Sequence, residues 1–278
     1  MDNALLIKLA AKKCLFLCTA FNGLSQKFWV NFSPLFKESR LMVGIDPAAV
    51  QVFQPDLIIC PFLDNYIPEQ IWSSTPCFIV HPGPPDEAGP SALNWAILEG
   101  RTNWSVCIIQ ANEQWDAGPV WAQAEFKLPT ASLSSIYRQQ ISDLAVQILP
   151  LALTHYYCAQ QPLLTPPPRY RKRISQQQLS IEWDQPTAAI IKKIHAGDSQ
   201  PGAPAVIENN HYLVYGARSG ESVYCLKDIQ PGEIIRHRDG QICVSTLDGC
   251  LWISRMARLT ENIKIRPQEL LAQSEITF

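Results

Sequence analysis

Apolar runs alternating with polar, helix-compatible stretches organise the first part of the chain. "KKCLFLCTAF" predicts a buried strand, then an Asn22-Gly23 turn and an amphipathic helix capped by Ser25 and running to about Phe36. "LMVGI" predicts a second strand, and "PAAVQVF" a short helix with proline in its first position. "DLIICPF" and "CFIVH" are continuous apolar strands of the kind buried on both faces of a sheet. A helix follows from Ser91 to Gly100, then strands "WSVCIIQ" and "PVWAQAEF" around the loop "ANEQWDAG". From Leu133 to about Gln160 the apolar residues recur at helical spacing, with Pro150 expected to kink that helix. Strands alternating with helices predict an α/β, doubly wound, mostly parallel sheet over residues 1–160.

The pattern then changes. "QQPLLTPPPRYRKRIS" holds four prolines and four basic residues and reads as an extended linker over residues 161–175. Beyond it, "TAAIIKKIHAG" predicts one helix. The rest is short alternating strands with glycine-rich turns ("HYLVYGAR", "SVYCLKDI", "QICVST", "CLWISRM"), which predict a small OB-like β-barrel domain over residues 176–278.

Composition narrows the function. A hydrophobic fraction of 47% and a charged fraction of 17% describe an ordinary globular chain. A net charge of −2 gives no electrostatic footprint for nucleic acid. "PRYRKR" is a basic run that could touch a phosphate backbone, but such runs are more often solvated linker. Nine cysteines include no C-x-x-C pair, so no metal site is expected and the thiols read as buried and reduced. The N-terminal stretch is weakly signal-like but broken by Asp2, Lys8, Lys12 and Lys13. It is too short to span a membrane, and a cytoplasmic location is expected.

The chemistry concentrates in "CFIVHPGPPDEAGPSALNW". His81 ends an apolar strand and is followed at once by a loop stiffened with Pro82, Pro84 and Pro85. A histidine so placed has little freedom left to lose on binding. Asp116 lies in the loop after "WSVCIIQ", before Ala117-Gly118, where glycine lets the backbone approach a ligand closely. Ligands of open α/β sheets bind beyond the carboxyl ends of the strands. A histidine and an aspartate meeting there form a minimal acid–base pair. Spacing alone leaves this reading level with a backbone-satisfied histidine and a turn aspartate. No G-x-G-x-x-G follows the first strand, so a dinucleotide site is disfavoured.

His81 with its Pro/Gly loop, "GPSALNWAILEG", "WSVCIIQ" and "DAGPVWAQ" resemble the formyltetrahydrofolate-dependent formyltransferases. "HPGPP", "GPSALNWAI" and "YLVYGA" with the strands after it are most similar to the HypX-type branch, which matures [NiFe] hydrogenases. The resemblance runs from about Cys14 to about Trp252. It implies formyltetrahydrofolate as co-substrate and a catalytic set of His81 and Asp116. "PFLDNYIP" matches the pterin-binding loop, so Phe62, Leu63 and Ile67 would wall the folate. Ala111, Glu113 and Trp115 would face them, and Ile79 and Gly83 complete the set. In the HypX-type branch the acceptor is the thiol of coenzyme A, for whose phosphates Lys27 and Arg138 are the candidates. Two departures stand out. The family's asparagine two residues before the histidine is Ile79, and the arginine expected in the following loop is absent at Ala88. HypX-type proteins also carry an enoyl-CoA hydratase-like domain after this region, so a missing domain or a separate hydratase-like partner is implied. The alternatives are an amine acceptor such as methionyl-tRNA, or a catalytically weakened folate-binding or assembly module.

Overall fold

The computed structural model describes residues 3–220, 229–259 and 263–274. The chain divides into two compact units. The first comprises residues 1–92, 102–128 and 136–173, and the second residues 93–101, 129–135 and 174–278.

The first unit opens with α1 (Asn3–Ala10), which buries Leu5 and Leu9 where the sequence suggested only a broken signal-like stretch. β1 (Lys13–Cys18), α2 (Gly23–Phe32), β2 (Glu38–Val43), α3 (Pro47–Phe53), β3 (Leu57–Cys60), α4 (Glu69–Trp72), β4 (Cys77–His81) and the two-residue β5 (Glu87–Ala88) follow. α2 starts earlier than expected because the Asn22 side chain, not Ser25, accepts the free N–H at its start. It ends at Phe32, because Ser33-Pro34 opens a tighter turn and Pro34 has no N–H with which to continue the helix. α3 matches its expected bounds, with Asp46 accepting from Ala48 and Ala49 and Pro47 in first position.

α5 (Ala92–Glu99) leads to β6 (Asn103–Gln110) and β7 (Val120–Lys127). The long helix comprises α6 (Leu133–Ile136), a wide π turn at Tyr137–Ile141, and α7 (Ser142–Tyr157). α7 runs on through Pro150, and the irregularity sits instead at the π turn, where the Ser142 hydroxyl donates to the Tyr137 carbonyl at 2.7 Å.

The six-stranded sheet has the order β2-β1-β3-β4-β6-β7. The doubly wound expectation holds. Three pairings are parallel, whereas β4–β6 and β6–β7 are antiparallel. Residues 111–119 joining β6 to β7 are too few for the crossover that parallel neighbours require.

Residues 161–175 are not wholly extended linker. β8 (Arg169–Tyr170) pairs in parallel with β5, and Arg171 is buried against Glu87. The strand pairing and the buried acid draw this basic run onto the protein.

The second unit contains α8 (Gln176–Leu179), α9 (Thr187–Ala196), β9 (Ala203–Ile207), β10 (Asn210–Ser219), β11 (Ile234–Arg238), β12 (Gln241–Ser245), β13 (Cys250–Arg258) and α10 (Pro267–Ser274). Its strands form a five-stranded antiparallel sheet, β11-β12-β13-β10-β9, matching the predicted run of short strands. "SVYCLKDI" lies for the most part outside the described residues. No described helix is long and apolar enough to cross a membrane.

Candidate active site

Side chains alternate across a strand, so Cys77, Ile79 and His81 share one face of β4. β6 runs antiparallel, setting Ile109 opposite Ile79 and Cys107 opposite His81. β6 therefore ends beside the start of β4, where the Ala111 N–H donates to the Cys77 carbonyl at 2.8 Å. Residues 111–119 fold back across this face and bring Asp116 over it. The site thus sits on the face of the sheet as well as at the carboxyl end of β4. The expectation of two neighbouring strand ends failed because β6 reverses direction.

His81 is 2% exposed, and its Nδ1 lies 3.6 Å from Asp116 Oδ2. Its Nε2 is buried and has no hydrogen-bond partner among the described residues. Gly83 lies against that nitrogen, where a Cβ would come within 2.6 Å. The Trp104 indole fixes the loop by donating to the Pro82 carbonyl at 2.8 Å. Asp116 has φ of +52°, a left-handed conformation that aspartate tolerates better than most residues. Its Oδ2 accepts the Gly89 N–H at 2.9 Å. One carboxylate oxygen therefore accepts a backbone donor and faces the imidazole from 3.6 Å. Gly118 permits a close approach, but to the Gln110 carbonyl across the hairpin.

Next to Asp116 a narrow cleft of about 30 Å³ is walled by Leu63, Ile67, Ile79, Ala111 and Trp115. Those five residues, taken from sequence, come together. Tyr66, missed in sequence, stands over Trp115 with ring centroids 6.2 Å apart and planes tilted by 30°. Asn65 of "PFLDNYIP", Asn112 and Gln114 of "ANEQW", and Gln110, which was missed, add polar edges. Gln110 ends β6, and the other three sit in irregular loops whose composition carries no periodic signal. Beyond Asn65 and Tyr66 lies a second hollow of about 350 Å³, bordered by Gly44, Ile45, Pro47 and Pro68.

The other expected residues, Phe62, Gly83, Glu113, Lys27 and Arg138, do not line this cleft. Phe62 packs edge-on to Tyr137 at 6.4 Å, and the Glu113 carbonyl accepts from the Tyr66 hydroxyl at 3.2 Å. Burial, then the Asp116 charge, pushes the Tyr137 phenol well above its ordinary value, so it is a neutral hydroxyl. Burial pushes the Cys77 and Cys107 thiols up to about 12, which leaves both poor nucleophiles. Lys27 is half-buried on α2 and ion-paired to Asp143 at the start of α7, and Arg138 is exposed on the π turn against which α2 packs. Among the described residues no group of three or more His, Cys, Asp or Glu could hold a metal ion.

The doubly wound sheet thus carries a strand-end histidine, a facing aspartate and a narrow cleft with two aromatic walls, Tyr66 and Trp115. Residues 34–153 match the formyl transferase family model and residues 173–274 its C-terminal domain model, and the chain belongs to the formyl transferase family. More particularly, it is 32% identical over 271 residues to the hydrogenase maturation factor HoxX of Bradyrhizobium diazoefficiens, which covers 94% of this chain and 47% of that protein. It superposes on HypX from Aquifex aeolicus in complex with tetrahydrofolic acid with a TM-score of 0.88 at 32% identity, covering 94% of this chain and 47% of that one. Methionyl-tRNA formyltransferase from Clostridium thermocellum shares the fold, with a TM-score of 0.64 at 17% identity over 85% of this chain and 99% of that one. The chain spans about half the length of its HoxX and HypX relatives.

Proposed function

We propose that the protein transfers the formyl group of formyltetrahydrofolate to the thiol of coenzyme A. The observation that carries this is the buried His81–Asp116 pair beside the cleft, with one imidazole nitrogen left without a partner. The acceptor sulfur attacks the formyl carbon. The new C–S bond forms as the C–N10 bond breaks. His81 Nε2 hydrogen-bonds the formyl oxygen as negative charge grows there, and Asp116 holds the imidazole through Nδ1. The proton lost by the thiol passes through Asp116 and ends on N10 of tetrahydrofolate, which closes the proton balance.

The pterin ring would lie between Ile79 and the Tyr66–Trp115 pair, with Asn65, Gln110 and Asn112 meeting its donors and acceptors. The cleft holds about 30 Å³, too little for the ring. Outward movement of Asn65 and Tyr66, which border both hollows, would join it to the larger one. The HypX complex with tetrahydrofolic acid supports folate as the donor.

The thiol acceptor fits a chain of net charge −2 with Lys27 and Arg138 on packed neighbouring elements, where they would meet phosphates. In the line of the HoxX and HypX likeness, the formyl thioester would serve the CO ligand of a [NiFe] hydrogenase through a hydratase-like half or partner. The test is product mass spectrometry with formyltetrahydrofolate and coenzyme A, alongside calorimetry of coenzyme A binding at two salt concentrations. Salt-sensitive binding that Lys27→Ala/Arg138→Ala weakens about 10-fold or more is expected. Intact folate binding with no binding of coenzyme A would reject the thiol acceptor in favour of an amine.

A further inference from the structure

The loop that presents Gly89 to Asp116 is held by residues far along the chain. Arg169 N–H donates to the Asp86 carbonyl at 2.8 Å and Arg171 N–H to the Ala88 carbonyl at 2.7 Å, completing the short β5–β8 pairing. Arg171 Nε lies 3.2 Å from Glu87 Oε2, and the two side chains are 8% and 6% exposed. Gly89 has φ of +102°, and a Cβ there would fall 2.3 Å from the Arg171 carbonyl oxygen, so the two backbones are in direct contact. The Gly89 N–H in turn donates to Asp116 Oδ2 at 2.9 Å, and that oxygen faces His81 Nδ1 at 3.6 Å. An unbroken run of contacts therefore leads from Arg171 through Glu87, Ala88 and Gly89 to Asp116 and His81.

A two-residue strand has little hold of its own. Its ladder bonds gain little against the conformational freedom they remove. A buried ion pair adds a geometric constraint, because either charge left alone in the interior would be strongly disfavoured. The pair is thus placed to hold the Gly89 donor at the one carboxylate oxygen that addresses the imidazole.

We infer that Arg171 is a positioning residue of the formyl-transfer site, acting through Glu87 and Gly89 on Asp116. This rests on the reading of His81 and Asp116 as the reacting pair. Leu63 and Ile79, which would wall the folate, are not part of this run of contacts, which reaches the cleft only at Asp116. Loss of the clasp should therefore lower turnover more than it weakens donor binding.

The test uses the full chain with Arg171→Met, Arg171→Lys and the double variant Glu87→Gln/Arg171→Met, which removes both buried charges so that neither is stranded. Steady-state kinetics with formyltetrahydrofolate is paired with amide hydrogen exchange at Gly89, the proton bonded to Asp116. In Arg171→Met and the double variant, kcat should fall about 10- to 100-fold with KM changed less than about twofold, the size expected for a misplaced catalytic group. Exchange at Gly89 should quicken about 10-fold or more while β1 and β3 amides stay protected. Arg171→Lys should recover part of both. A folded double variant with wild-type kcat and unchanged Gly89 exchange overturns the proposal. Gly89 exchange reads the clasp independently of formyl transfer, so a wild type that transfers no formyl group leaves the two readings separable.

Discussion

His81 can present Nε2 only if nothing crowds its ring, and Gly83 provides that clearance. Gly83→Ala would bring a methyl carbon within 2.6 Å of Nε2 and force the imidazole or the proline loop to move. A fall in kcat of about 10- to 100-fold is expected, with the melting temperature little changed, since the strain falls on one side chain rather than on the core. Kinetics and thermal unfolding of the variant check this, and wild-type turnover would show that Nε2 has no role. Ile79 lies on the same face of β4 as His81, where it packs with Leu63 and Ala111 against the core behind the cleft. It offers an apolar wall and no donor, so in the proposed mechanism oxyanion stabilisation would fall to His81. His81 and Asp116 were legible in sequence because a strand end before prolines and an aspartate before a Gly turn are local signals. Tyr66 over Trp115 and Glu87 with Arg171 were not. Each pair joins residues distant in sequence, and no spacing rule links them.

Elements were legible where apolar periodicity set them. β1, β3, β4 and α3 lie close to where continuous apolar runs and a first-position proline place them. Strand direction was not, because periodicity reports which residues are buried and not which way a strand runs. The reversal of β6 decides where Asp116 sits. In the second unit, Asp198 follows α9 and is 1% exposed. It accepts from the Ser134 hydroxyl and lies 3.9 Å from Arg255. Burial alone would raise its pKa, but the Ser134 and Ser132 hydroxyls, with the Arg255 and Lys264 charges, outweigh burial and hold the carboxyl below its ordinary 3.8. A folded value below the unfolded one stabilises the protein above pH 3.8, and that stabilisation is lost as pH falls through the depressed value. Asp198→Asn should therefore lower stability at neutral pH by about 1–3 kcal/mol and flatten the loss below pH 4. Denaturant unfolding of both proteins at neutral and acidic pH measures this. An unchanged acid dependence would show that Asp198 contributes nothing to it.

Across the whole molecule, composition and charge bounded the function without choosing it. A net charge of −2 disfavours a nucleic-acid partner but leaves small anionic substrates open to a few local cations such as Lys27 and Arg138. The division into a doubly wound unit and an antiparallel sheet unit was legible as a change from long alternating elements to short strands. That residues 169–171 return to the first unit was not, since four prolines and a basic run look the same whether solvated or clasped. The most direct measurement follows release of tetrahydrofolate and of the formylated product from formyltetrahydrofolate under single-turnover conditions, in wild type, His81→Ala and Asp116→Ala. Wild type should release both, and each variant should lose about 10³-fold or more in rate while remaining folded and still binding tetrahydrofolate. Folded variants that release product at the wild-type rate would contradict a reacting role for the His81–Asp116 pair.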